Sequence, residues 1–134
     1  MEPYKMTDTL PPIVMSETDF DFLSNLTAAR GGALSEVMSF LEQELDRADV
    51  LPDRYVPLDA VRLHSRITYR DGLSGQTRSV TLVYPQEEDS ELGHVSVLTP
   101  VGAALIGLRP GQHIAWQSWA GTARSLEVLT VDPA

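Results

Sequence analysis

Cysteine is absent from all 134 residues of this chain. That excludes a disulfide framework, a thiolate metal site and a cysteine nucleophile, and it suits a reducing cytosol, so the expected location is cytoplasmic. Long apolar runs are missing too. None approaches the length of a membrane span, and Met1 to Leu10, with one lysine and no apolar core, does not read as a signal peptide. Basic residues are scarce: 10 against 19 acids leave a net charge of −9, which repels a phosphate backbone and argues against direct, sequence-specific nucleic-acid binding. The imbalance sits early in the chain. Residues 1–60 carry twelve acids against four bases, giving −8, whereas 61–134 carry seven against six, giving −1. A basic protein surface is the natural partner for that first half, the plainer alternative being a solvated, charged helix pair.

Catalytic patterns are equally sparse. His64, His94 and His113 are far apart, with no i, i+4 pair and no metal-ligand spacing. Glu87, Glu88, Asp89 and Glu91 crowd one stretch but lack the ligand order and central glycine of a calcium loop, so a solvated acidic loop is expected. There is no G-x-S-x-G elbow, no P-loop and no G-x-G-x-x-G after a strand. The expectation is a non-enzymatic protein with neither metal nor cofactor.

What is present begins with helical periodicity. Residues 1–15, with three prolines and no amphipathic period, read as a flexible leader. A first helix starts between Ser16 and Thr18, where Ser16-x-x-Asp19 and Thr18-x-x-Asp21 both have capping-box form; Phe22, Leu23 and Leu26 form its stripe, and Arg30-Gly31-Gly32 ends it. A second starts at Leu34 or Ser35, with Leu34, Val37, Met38, Leu41, Leu45 and Ala48 inward and Glu36, Glu42, Glu44, Asp46 and Arg47 outward. Together they predict a short antiparallel helical hairpin, a coiled coil over residues 16–51. An arm of about 12 to 16 residues is on the order of 20 Å long, and because it buries little it should lean on the domain after it. Leu51-Pro52 closes the second helix, and Asp53 to Pro57 reads as a linker.

From Val61 the period changes to two. Val61, Leu63, Ser65, Ile67 and Tyr69 alternate with Arg62, His64, Arg66, Thr68 and Arg70, as in a strand with one buried and one basic face. Asp71 to Gly75 is a turn, Gln76 to Tyr84 a second strand, and Pro85 to Gly93 the acidic loop. Val95 to Gly111 then packs a strand, a small helix and a turn into seventeen residues. Thr99 is a natural N-cap, Pro100 fits the first helical position, and Gly107 can end the helix in the left-handed conformation. His113 to Trp119 resumes as a strand with Trp116 and Trp119 on opposite faces, one in the core and the other a partner anchor or a lid; Ala120-Gly121 is a hairpin turn, and Thr122 to Val131 the last strand. The fold class is α+β: the hairpin, then over residues 58–132 a mostly antiparallel five-strand sheet with one short helix.

The stretch S-V-L-T-P-V-G-A-A-L-I-G-L-R-P-G-Q-H-I resembles the signature of the C-terminal domain of the bacterial GreA/GreB transcript-cleavage factors. With L-V-Y-P at 82–85, P-V-G-A-A-L-I-G-L-R at 100–109 and E-L-D-R-A at 44–48, the chain is more similar still to their shorter relatives, the regulator of nucleoside diphosphate kinase (Rnk) family, over roughly residues 16–132. The resemblance implies an FKBP-like sheet domain that docks on the rim of the RNA polymerase secondary channel, here through Leu98, Thr99, Pro100 and Val101. Leu98 departs from the acidic residue found there in some Gre factors, and Pro100 serves either docking or only the start of the helix. In the Gre factors, a pair of acids at the tip of a longer coiled coil helps hold a catalytic Mg²⁺, because a hard dication needs charged oxygen ligands. The tip here offers Arg30, Gly31, Gly32 and Glu36, a single acid beside an arginine. The resemblance therefore implies a monomeric, polymerase-binding regulator that does not stimulate cleavage and acts on nucleoside diphosphate kinase indirectly. The alternatives are an FKBP-like prolyl isomerase, whose aromatic pocket is not evident among nine scattered aromatic residues, or a direct protein-protein module on a metabolic enzyme.

Overall fold

The computed structural model describes residues 10–29, 36–117 and 123–133. Two helices form the expected hairpin, α1 (Glu17–Ala29) and α2 (Glu36–Arg47). Asp19, Leu23 and Thr27 succeed one another at four-residue intervals on the buried face of α1, and Leu41, fully buried, answers from α2. Ser16 caps α1, its Oγ accepting from the Asp19 amide at 3.0 Å.

The arm's root differs from expectation. Residues 14 and 15, assigned to the flexible leader, join Ser16, placed at the start of the first helix, in strand β1 (Val14–Ser16), and residues 49–51, assigned to the second helix, are strand β2 (Asp49–Leu51). The two run parallel with Val14 opposite Asp49 and Ser16 opposite Leu51. Ile13 and Met15, each 1% exposed, drive the pairing: they are apolar residues at strand spacing that the core takes in. The Asp53–Pro57 linker is also ordered. It holds a 3₁₀ turn over Asp53–Tyr55, and the Asp53 carboxylate accepts from the Thr18 amide at 3.0 Å and from its hydroxyl.

The main sheet contains β3 (Arg66–Asp71), β4 (Thr77–Val83), β5 (His94–Ser96), β6 (His113–Gln117) and β7 (Ala123–Asp132), in the spatial order β5-β4-β3-β7-β6. Every pairing is antiparallel except that of β4 with β5. The alternation read over 61–70 holds as burial, with Val61, Leu63, Ser65, Ile67 and Tyr69 all inside. Only its second half is strand, because His64 turns the chain with φ at 77°. A bulge between Thr68 and Tyr69 against β7 adds local twist. The short helix α3 (Pro100–Leu105) packs on the inner face through Ala103, Ala104 and Leu105, none of them exposed. Ile13, Met15, Leu23 and Leu41 belong to the same core as Ile67, Leu82, Leu105 and Val128, so the arm and the sheet share one interior.

One residue of α2 points the other way from expectation. Glu44, assigned to the outer face, is 1% exposed. Position 44 lies three residues after Leu41 and four before Ala48, which is inward helical spacing; its charge, not its place in the period, had put it outside.

Candidate functional site

The unit from 94 to 112 is built by hydrogen bonds close in sequence. Ser96, 2% exposed, accepts from the Leu98 amide at 2.9 Å through Oγ. Its carbonyl accepts from the Thr99 amide at 3.0 Å and the Thr99 hydroxyl at 2.7 Å. Thr99 Oγ1 in turn accepts from the Gly102 amide at 3.0 Å, the N-cap bond expected of it, with Pro100 next as the first helical residue. The result fixes Pro100 at the surface. Leu98, Thr99 and Val101 are half-buried around it, and Leu98 and Val101 rest on the core.

Two glycines let this unit approach its neighbours. A Cβ on Gly102 would stand 2.2 Å from the Ser96 carbonyl oxygen, so α3 lies against the end of β5 only because that atom is absent. Gly107, with φ at 85°, takes the left-handed conformation; its amide donates to Val61 at 3.0 Å and its carbonyl accepts from Val14 at 3.1 Å. The end of α3 is thus where the arm root and the sheet meet.

The other predicted cluster is described only in part. Arg30, Gly31 and Gly32 lie outside the described residues, as does Trp119; Glu36 opens α2, and its side chain also lies outside them.

Sequence reasoning missed the groups that orient the arm. Asp19, 4% exposed, accepts from the Leu63 amide at 3.1 Å, and burial pushes its pKa up against the opposing pull of that bond and of Arg62. Phe22 of α1 meets the Tyr84 ring edge-on at 4.6 Å, and Tyr84 meets His64 at 5.2 Å. His64 Nε2 lies 2.8 Å from Glu87 Oε1, a bond that lowers the Glu87 pKa. The Ser16-x-x-Asp19 pattern marked Asp19 as a first-turn acid, yet nothing local showed that it reaches Leu63, 44 residues away. Among the described residues, no group of three or more His, Asp or Glu could hold a metal ion, and no helix is long and apolar enough to cross a membrane.

Residues 56–133 match the family model for the C-terminal domain of the transcription elongation factors GreA/GreB, and residues 11–51 match the model for the Rnk N-terminus. The regulator of nucleoside diphosphate kinase of Escherichia coli K12 is 36% identical over 122 residues, which cover 91% of this chain and 90% of that protein. The chain belongs to the Rnk family. The chain also aligns with the elongation factor GreA of Chlorobium phaeobacteroides, 37% identical over 75 residues, which cover 55% of this chain but only 47% of that protein. Among solved structures, a GreA/GreB transcription elongation factor of Nitrosomonas europaea superposes with a TM-score of 0.70 at 31% identity, covering 91% of this chain and 98% of the other. The boundary between the two family models, at 51 and 56, brackets the Asp53 turn that ties the Rnk-type arm to the GreA/GreB-type sheet.

Proposed function

We propose that this protein is a cytoplasmic, monomeric transcription regulator that docks on RNA polymerase at the secondary-channel rim through Leu98, Thr99, Pro100 and Val101. It competes there with Gre factors and does not stimulate transcript cleavage. The observation that carries this reading is the Thr99-capped turn, which presents Pro100 from a rigid base in a domain of the GreA/GreB family. The arm, residues 16–51, acts as a short acidic probe toward the channel entrance, and the sheet domain, 58–132, as the dock. Effects on nucleoside diphosphate kinase, suggested by the name of the Escherichia coli relative, are then indirect and run through transcription. A prolyl isomerase reading has no observation in its favour, since the α3–sheet interface is filled by Ala103, Ala104 and Leu105.

Displacement of a labelled Gre factor from core polymerase tests the docking. Saturating amounts of this protein should release the label, and release should weaken with salt because the charge on the arm is screened. Retention of the label at saturation refutes the reading. Added to a backtracked elongation complex, the protein should leave cleavage at its basal rate and slow Gre-stimulated cleavage; acceleration by this protein alone refutes the non-cleaving role.

A further inference from the structure

Glu44 is an ionisable group set in the core. Its Oε2 accepts from Arg47 Nη2 at 2.7 Å, while Oε1 and Arg47 Nε are buried with no hydrogen-bond partner among the described residues. Arg47 Nη1 donates to the Pro11 carbonyl, so the guanidinium rivets the buried carboxylate to the segment leading into β1. That segment is fastened in three further ways. The Pro12 carbonyl accepts from Gln112 Nε2 at 3.1 Å, the Ile13 carbonyl accepts from the Asp49 amide at 3.0 Å, and the Val14 amide donates to Gly107 at 3.1 Å. Residues 11–14 therefore form a strap joining the arm to the turn after α3.

We propose that this strap is a proton-controlled clasp, seated over protonated Glu44 and loosened when Glu44 ionises, so that its grip on arm and sheet weakens as pH rises.

A carboxylate with one oxygen unpaired and no water access is costly, and the cost falls if the group takes a proton or if its cover lifts and hydrates it. Arg47 offsets part of that cost but does not cancel it: burial, the largest influence, raises the Glu44 pKa from 4.5 to about 7. Among the described residues packed around it, no other charge intervenes. The α3 helix packed against α2 contains only Pro, Val, Gly, Ala and Leu; residues 10–16 carry no titratable side chain; and the inward acid of α1, Asp19, is engaged by Leu63. Proton binding is therefore tighter with the strap seated than with it lifted, and linkage fixes the sign. The seated form is favoured in acid, and between pH 4.5 and about 7 the equilibrium moves toward the lifted form by up to about 300-fold.

Native-state hydrogen exchange between pH 5 and 8 reads this directly. Corrected for intrinsic exchange rates, protection of the Val14 and Asp49 amides should fall at least tenfold as pH rises from 5 to 7 and level off above the Glu44 titration midpoint of about 7. Both should exchange faster than the Val128 amide, which donates from β7 to the Gln112 carbonyl, showing that the strap opens without the whole fold. In Glu44→Gln, which keeps an acceptor for Arg47 but cannot ionise, the profile should be flat. Tracking the Glu44 carboxyl carbon in the unaltered protein gives the midpoint independently of any variant's folding. A carboxyl that titrates below pH 5 overturns the proposal. So do flat protection in the wild type, the same pH dependence in Glu44→Gln, or strap amides that exchange only as fast as Val128.

Discussion

Replacing Gly102 with alanine pits two effects against each other. In an unobstructed helix the change would stabilise the protein by about 0.5–1 kcal/mol, since glycine loses more backbone freedom on folding. Here the new Cβ would sit 2.2 Å from the Ser96 carbonyl oxygen, 3.0 Å from the carbonyl carbon and 3.0 Å from Thr99 Oγ1. Backbone cannot swing aside as a long side chain can, and the same oxygen already accepts from the amide and hydroxyl of Thr99. Relieving the clash means moving α3 by on the order of 1 Å from β5, at a cost in the range of 1–3 kcal/mol or more for overpacking. The clash should win, with Gly102→Ala destabilising by about 2 kcal/mol net, a drop of roughly 5–10 °C in midpoint for a chain of this size. Gly111→Ala is the control. Its φ is 89° with nothing within 4 Å of the added carbon, so it reports backbone strain alone, about 1–2 kcal/mol. Thermal and urea unfolding of both variants decide the matter. A Gly102→Ala protein as stable as the parent would refute the close approach of α3 to β5, and with it the rigid base assigned to Pro100.

Thr99→Ala should lose about 1 kcal/mol with its cap while Thr99→Ser retains most of it, measured by urea unfolding. Pro100→Ala should weaken polymerase binding more than it weakens folding, so equal loss in both assays would make the loop merely structural. Asp19→Ala leaves the Leu63 amide buried without an acceptor and should cost about 1–3 kcal/mol, with Asp19→Asn costing less; equal stability of all three proteins would remove Asp19 from the arm root. The bonds from Thr18 hold the Asp53 pKa below the usual carboxylate value, so the stability this group contributes is present above about pH 4 and lost as pH falls through the lowered pKa. Asp53→Asn should therefore flatten the acid limb of the stability curve between pH 2 and 5, and an unchanged limb would refute the assignment.

What could be read from the sequence was whatever short-range chemistry decides. The Thr99 cap, Pro100 at the first helical position and left-handed Gly107 arise from residues within a turn of one another, and all three are present. The burial pattern of 61–70 was legible because alternation records which side is apolar, whereas the turn at His64 was not, since nothing in that alternation marks a change of backbone. Strands of three residues carry no measurable period. β1 and β2 exist because each finds the other, with Gly107 beside them, across more than thirty positions of sequence. Glu44 was misplaced for a different reason: residue type outweighed position, although the spacing from Leu41 to Ala48 pointed inward. The groups that orient the arm, Asp19, Asp53, His64 and Glu87, act through partners 23 to 44 positions away and leave no local trace.

The parallel pairing of β1 with β2 has a consequence for how such a protein can change. It brings the two ends of the helical hairpin, just before α1 and just after α2, to neighbouring strands roughly 5 Å apart. Everything beyond that doorway is a self-contained excursion of the chain. Turns added to or removed from both helices would alter reach in steps of about 5.4 Å while the doorway, the cap at Ser16 and the interior behind it stayed as they are. Reach is thereby decoupled from folding, and a lineage can shorten or lengthen its probe without rebuilding the body that carries it.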